Sequence, residues 1–199
     1  MTTVFPTAVF RAAAVALCLP LALAACSNPE KTGRYLIDRP VPAKQMANRL
    51  GKAELREVSL PEYASGQEVP WQTADGAVRS NPDTLWADTQ ARAVTHFLAR
   101  EISAVSGATV ISEPWPLAEP PSNRVEVRVE RMLATADGLF NLSGRYFVAP
   151  EGLDGFAGGG DTVRRFDIQV PLAGEGPAAI AAAQSQALAQ LAAQIAALR

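Results

Sequence analysis

Residues Arg124 to Glu130 alternate without a break between valine and charge, Arg-Val-Glu-Val-Arg-Val-Glu. A period of two sets every valine on one face and every charge on the other, the pattern of a strand half on a core and half in water. Asp137-Gly138 follows as a two-residue hairpin turn, because both residue types tolerate positive φ. Counting outward from that turn places Leu133 opposite Leu142, Val129 opposite Tyr146 and Val127 opposite Val148 on an inner face. The same register sets Glu130 opposite Arg145 on the outer face, so the turn, the apolar face and a charge pair agree. Alternation resumes over Val163–Val170, with Phe166, Ile168 and Val170 inward.

The rest of the chain must supply a cover for this sheet. Tyr35-Leu36-Ile37 reads as a short strand stopped by Pro40, residues 41–52 as basic and irregular, and Leu55–Leu60 as a strand ended by Pro61. Val69–Arg79 reads as a hairpin around Asp75-Gly76, held at a sheet edge by Pro70. Asn81-Pro82-Asp83 marks a turn and a helix start, with Asp83 or Thr84 as cap and a helix to about Val105 before Gly107. Val94, Phe97, Leu98, Ile102 and Val105 share one face of that helix; Arg92, His96, Arg100 and Ser103 share the other. A strand at Thr109–Ile111 leads into a proline-rich loop through Pro114, Trp115, Pro116, Pro120 and Pro121. Gly155 to Gly160 reads as a flexible loop. A closing Ala- and Gln-rich helix spans about Pro177–Leu198, with Ile180, Leu188, Leu191, Ile195 and Leu198 on one stripe. The order strands, helix, strands, helix predicts an α+β fold: an antiparallel sheet with two helices packed on one face. Residues 35–199 are expected to form one domain.

The N-terminus carries a different kind of signal. Arg11 and the apolar run Ala12–Leu23 fit a signal peptide and are too short for a spanning helix, which needs about 20 apolar residues. The run closes on Leu23-Ala24-Ala25-Cys26, which reads as a lipobox. Small residues let a peptidase cut after Ala25, and the Cys26 thiol takes a diacylglyceryl group. Once freed by cleavage, the amine of Cys26 can take a further acyl chain such as palmitate. Several chains anchor stably where one is marginal. Cys18 lies inside the apolar run and is a poor acceptor. Residues 1–25 are then the leader, and residues 26–34, polar with Pro29 and Gly33, a tether. Ser27 follows the cysteine where an aspartate would retain the protein, so outer-membrane sorting on the periplasmic side is expected.

Charge and chemistry narrow the function. The leader holds one basic residue and no acidic one, which leaves 17 basic against 20 acidic residues from Cys26 on. No cluster of Lys and Arg marks a nucleic-acid partner. With Cys26 the sole cysteine after the leader, an internal disulfide and a cysteine-built zinc site are excluded. His96, the one histidine, falls on a polar helix face and reads as solvated. Gly158-Gly159-Gly160-Asp161 lacks the Lys-Ser/Thr of a phosphate loop and precedes a strand. Ser106-Gly107 and Ser143-Gly144 are not nucleophile elbows. Asp83 and Asp88 suit a helix start better than acid–base work. Trp71 and Trp86 read as anchors, Trp86 in the core by default, while Trp115 suits either a packed loop or a partner contact. No catalytic residue, cofactor or metal ligand is expected.

Several fragments, in order, resemble the ABC-type transport auxiliary lipoprotein family, the PqiC-like group. They are Cys26 with Tyr35-Leu36, Val58-Ser59-Leu60-Pro61-Glu62-Tyr63, Leu85-Trp86-Ala87-Asp88, Pro114-Trp115, Val125-Glu126-Val127 and the run Ala183–Leu191. Thr89 and Gln90 stand where the family often has Pro-Leu. The resemblance implies a non-enzymatic accessory of a lipid-transport system, lipid-anchored on the periplasmic face of the outer membrane. Its partners would be an inner-membrane ABC transporter and a mammalian-cell-entry-type transport protein, and a homo-oligomer is compatible with that role. Two other functions compete: a structural or assembly lipoprotein for outer-membrane components, and a lipid-anchored hydrolase, which the lone His96 disfavours.

Overall fold

A computed structural model describes residues 31–38, 45–151 and 160–198, and those from Gly33 on belong to one compact unit. In chain order the elements are β1 (Gly33–Tyr35), β2 (Lys52–Leu55), α1 (Glu62–Ser65), β3 (Trp71–Gln72), β4 (Val78–Arg79), β5 (Thr84–Trp86), α2 (Gln90–Ser106), β6 (Thr109–Ser112), β7 (Asn123–Ala134), β8 (Leu139–Pro150), β9 (Thr162–Pro171) and α3 (Pro177–Ala196). The class is α+β, as the element order predicts, with α2 and α3 packed against each other and on the sheet.

The sheet is mixed, which corrects the all-antiparallel expectation. β7, β8 and β9 run antiparallel in that order. The other side of β7 is covered in sequence by β2, by a bridge from Ser59 to Arg128 and by Trp71 of β3, all parallel to it. β2 pairs in parallel with β6 on its far side. The reason is connectivity: β2 and β6 are joined through α2, and a crossover of that kind returns the chain in the same direction. The predicted hairpin at Asp75-Gly76 is present as β3–β4, with Gly76 at φ 84° and β4 on the edge.

Two N-terminal expectations need correction. Leu55–Leu60 is a strand only to Leu55, because the Val58 N–H donates to Thr95 Oγ1 of α2 at 2.9 Å and leaves the ladder. Thr84–Trp86 is strand and not helix. The Thr84 carbonyl accepts from Val69 N–H, and Trp86 N–H donates to the Gln67 carbonyl. Register with β1 completes the pairing, Gly33 against Thr84 and Tyr35 against Trp86. The helix therefore begins at Gln90, where no side chain caps it, and ends as expected at Gly107, φ 69°. α3 ends at Ala196, with Leu198 half-buried beyond it.

The β7–β8 hairpin forms, but in a different register. Thr135 N–H donates to the Leu139 carbonyl, so the turn holds three residues, with Gly138 at φ 79°. A turn ending in a left-handed glycine is the usual three-residue solution, and it shifts pairing by one from a two-residue turn. Met132 then meets Leu142 and Ala134 meets Phe140, while Leu133 faces Asn141 and is buried outside the main core cluster. A bulge at Glu130 shifts pairing once more, since Val129 pairs with Gly144 and Arg131 with Ser143. Beyond it Val127 faces Tyr146 and Val125 faces Val148. Two shifts of one restore the predicted faces, so Val127, Val129, Tyr146 and Val148 are buried. Glu130 and Arg145 make the expected ion pair, at 2.9 Å, although Arg145's direct cross-strand partner is Arg128.

The bulge requires Gly144. A Cβ there would lie 2.2 Å from the Arg128 carbonyl oxygen, 2.8 Å from Phe166 Cζ and 3.0 Å from Val129 Cα. Phe166 of β9 occupies the space a side chain would take.

The core lies between sheet and helices. Phe97, Leu98 and Ile102 of α2 and Leu188, Leu191 and Ile195 of α3 meet Val127, Phe140, Leu142 and Ile168. One polar pair is sealed among them. Gln184 Nε2 of α3 donates to Gln90 Oε1 of α2 at 2.7 Å, and each residue is 1 % exposed. The bond orients the helix pair, because either amide alone would be an unsatisfied buried group. Tyr146 is buried under α3, with its ring centroid 6.5 Å from that of Phe166.

The bulged register generates the first prediction. Val129→Asp buries an unpaired charge and should cost about 3 kcal/mol or more, whereas Glu130→Ala should cost at most about 1 kcal/mol. Gly144→Ala should be as damaging as a core overpacking change, about 1–3 kcal/mol. Urea denaturation of the three variants checks this, and a harmless Gly144→Ala would refute the bulge.

A second prediction concerns alkaline pH. Loss of hydration on burial raises the Tyr146 pKa above its ordinary value, and the field of Arg164 opposes this more weakly. The unfolded chain's tyrosine then ionises first as pH passes about 10, so the unfolded state binds fewer protons and stability falls. Tyr146→Phe should flatten that alkaline limb while leaving the neutral-pH slope unchanged, as measured by denaturant unfolding across the range.

Candidate functional site

The residues singled out in the sequence do not converge. Cys26 and Ala25 lie outside the described residues, as do Gly158 and Gly159, while Gly160 and Asp161 are exposed. His96 is exposed on α2, its Nδ1 3.2 Å from Ser112 Oγ. Asp88 stands at the start of α2, where it accepts the N–H of the N-cap residue Thr89 at 2.7 Å, and it binds Arg92 one turn on, with Arg92 Nε donating to both carboxylate oxygens at 3.1 and 3.2 Å. That contact holds the Asp88 pKa below the usual carboxylate value and raises that of Arg92. Asp83 precedes β5, and its N–H donates to Asn81 Oδ1. Trp86 is core. Trp115 is tied into its own loop: its N–H donates to Glu54 Oε1 at 2.9 Å and its indole N–H to the Glu119 carbonyl at 2.7 Å. Among the described residues, no three His, Cys, Asp or Glu side chains come together as a metal site.

Sequence reasoning passed over Glu101, which is 1 % exposed on α2 and held in an interaction. The signal was there: Glu101 stands four residues after Phe97 and four before Val105, a carboxylate inside the apolar stripe.

Two surfaces remain. The first is the sheet face turned away from the helices. Register lines up Arg128, Arg145 and Arg165 across β7, β8 and β9. Arg128 donates to Glu126 at 2.6 Å and lies 5.0 Å over the Phe147 ring. Arg145 pairs with Glu130, whereas Arg165 makes no ion pair among the described residues. Exposed Val163 borders Phe147 through direct pairing. The face is therefore charged, partly neutralised within itself and apolar at one spot.

The second surface is a cavity of about 500 Å³ at the end of the sheet that carries the β7–β8 turn. Val69, Trp71, Ala134, Leu172 and Ile180 give it apolar walls; Gln72, Asn81, Thr84 and Glu175 supply polar groups. Val69, Ala134 and Ile180 belong to the core, so the cavity is a continuation of the core toward solvent. Nothing in the sequence marks it, because its walls come from four separate segments.

A family model described as ABC-type transport auxiliary lipoprotein component matches residues 35–196. Among solved structures, a crystal structure of an uncharacterized protein aligns with TM-score 0.62 at 20 % identity, covering 77 % of this chain and 97 % of that one. Protein XCC0632 from Xanthomonas campestris, of family DUF330, aligns with TM-score 0.60 at 17 % identity, covering 83 % of this chain and 93 % of that one. These likenesses establish the fold alone. No curated protein matches the sequence.

The exposed positions should tolerate change. His96→Ala should shift stability by no more than about 0.5 kcal/mol, and Arg128→Ala, which gives up an exposed ion pair and a ring contact, by no more than about 1–2 kcal/mol. Thermal melts of both variants check this; a larger loss at His96 would mean that its contact with Ser112 holds β6 in place.

Proposed function

Because the chain belongs to the ABC-type transport auxiliary lipoprotein component family, and so serves an ABC transport system in an accessory role, we propose that it is a non-enzymatic subunit of an envelope lipid-transport system. In this reading it is anchored through acylated Cys26 on the periplasmic face of the outer membrane. There it meets a mammalian-cell-entry-type protein that works with an inner-membrane ABC transporter. The observation that carries the reading is the extent of the family match, residues 35–196, which takes in nearly the whole compact unit from Gly33. The Leu23-Ala24-Ala25-Cys26 stretch supports the anchor independently. Among the described residues no helix is long and apolar enough to cross a membrane, so a lipid on Cys26 would supply the attachment that they lack.

The anchor and the partnership are separately testable. Intact mass of protein extracted from membranes should show a chain beginning at Cys26 with added acyl chains, and fractionation should place it in the outer membrane. Cys26→Ala should release it or strand it as uncleaved precursor. Affinity isolation from solubilised envelopes should recover a mammalian-cell-entry-type protein. Recovery of outer-membrane assembly factors in its place would replace the transport role with an assembly role.

A further inference from the structure

We infer that the cavity bounded by β3, β5, the β7–β8 turn and the start of α3 binds a long-chain acyl group. Its volume of about 500 Å³ falls within the range of small-ligand pockets, roughly 300–1,000 Å³. Val69, Ala134 and Ile180, almost wholly buried, back the cavity, and half-buried Trp71, Leu172 and Pro177 are the apolar groups a ligand would meet, with half-buried Thr84 and Thr135 also in the lining. A sugar, nucleotide or peptide placed against such walls would leave its polar groups without partners, and methylenes would not. The polar groups lie where a lipid head would be: Asn81 and Glu175 are exposed, and Gln72 is half-exposed. Glu175 is the one charged residue of the lining, and no cation is present there. Glu175 favours an amine on the head, and the uncapped start of α3 beside it leaves no bar to a phosphate or ester oxygen.

Placement gives the cavity a source of ligand. Thr84, in its wall, is the direct register partner of Gly33, and the Gly33 N–H donates to the Asp83 carbonyl at 2.8 Å. Gly33 stands seven residues after Cys26. Seven extended residues reach at most about 25 Å, less than the roughly 30 Å hydrocarbon thickness of a bilayer. For its source of ligand the inference rests on the proposed anchoring at Cys26: an acylated chain keeps this end of the domain near lipid. The acyl group can come from a membrane phospholipid or from Cys26 itself.

The test uses full-length processed protein in vesicles of phosphatidylethanolamine and phosphatidylglycerol. The probe is a phosphatidylethanolamine carrying a diazirine at the end of one acyl chain. Irradiation should place the adduct on the segments containing Val69–Gln72 and Leu172–Ile180. Leu172→Trp, which fills the cavity, and Ala136→Trp, at its exposed rim, should each cut that adduct about tenfold or more without lowering the melting temperature. Labelling of both the acylated protein and a Cys26→Ala form made without residues 1–25 and added to the same vesicles identifies a membrane phospholipid as the occupant. Labelling of the Cys26→Ala form alone identifies the chain's own acyl group. Adducts spread over exposed apolar residues such as Leu36 and Val163, or insensitive to both tryptophan variants, would overturn the inference. A mass showing Cys26 unmodified would defeat the anchoring reading alone, since probe labelling of that same protein still reports on the cavity.

Discussion

At the middle of the sheet the Arg128 carbonyl points into the space above Gly144, closer than any side chain would allow. That approach is what permits Glu130 to bulge, and the bulge decides which way β7 faces. Near the turn, Met132 and Ala134 point to the helices; past the bulge, Val129, Val127 and Val125 do. Without the extra residue the register set by the three-residue turn would bring Val129 opposite Arg145 and Val127 opposite Phe147. One half of the strand would then turn its valines to water, because a slip of one exchanges the two faces. β7 is also the strand along which β2, Ser59 and β3 are laid, so an error there would carry into everything N-terminal to it.

The second constraint is how the helix layer is oriented over that sheet. The apolar core holds the two together, and a few polar bonds, long in sequence separation, fix their alignment. Gln184 bonds Gln90 across the helix pair, and Thr95 accepts the Val58 N–H. Tyr63 accepts the Met132 N–H at 3.2 Å. Each joins segments dozens of residues apart, and Gln90 and Gln184 lie where water cannot replace the partner. The fragments on which the family resemblance rests contain these residues: Val58 to Tyr63 holds Val58 and Tyr63, and Ala183 to Leu191 holds Gln184. Gln90, at which the chain departs from the family's usual Pro-Leu, is the partner of Gln184.

What could be read in advance follows the strength of the local pattern. The inner faces of β9, α2 and α3 were legible because a period of two or 3.6 held over many residues against one layer. The bulge was legible in principle: apolar positions on β8 stay even through Phe140, Leu142, Tyr146 and Val148. On β7 they pass from odd to even between Val129 and Met132. Placing Leu133 opposite Leu142 preserved a false parity across that break. Parallel pairing of β2 and β3 was not legible, since strands of four and two residues carry no sign of direction. Thr84–Trp86 reads as a helix start from Asn-Pro-Asp, and only its pairing with β1 overrides that. The cavity was illegible for the same reason, being made of single residues from distant segments, whereas Glu101 announced itself as one charge in an apolar stripe.

A sheet of this kind leaves strand edges open, and an open edge is a template on which another chain can pair. The β9 edge answers with charge. Its first half runs past the helix layer, so that Val163, Arg164 and Arg165 are exposed on both faces, and beyond them Asp167 and Gln169 continue the polar row. The other side of the sheet ends on β4, only two residues long, and on β6, only four, which leads through Glu113, ion-paired to Arg56, into the proline-rich loop. Short length, charge and proline are the standard ways of denying an edge to another strand. Trp115 pins that loop back through Glu54 and the Glu119 carbonyl, which keeps a large indole from offering a sticky flank to the same edge. Protected edges turn association away from strand addition and toward side-chain contacts. On the described surface the aligned arginines of the sheet face are the most distinctive set of such groups; Arg128 and Arg145 are ion-paired, and Arg165, which shares its face with exposed Asp167 two residues on, is not.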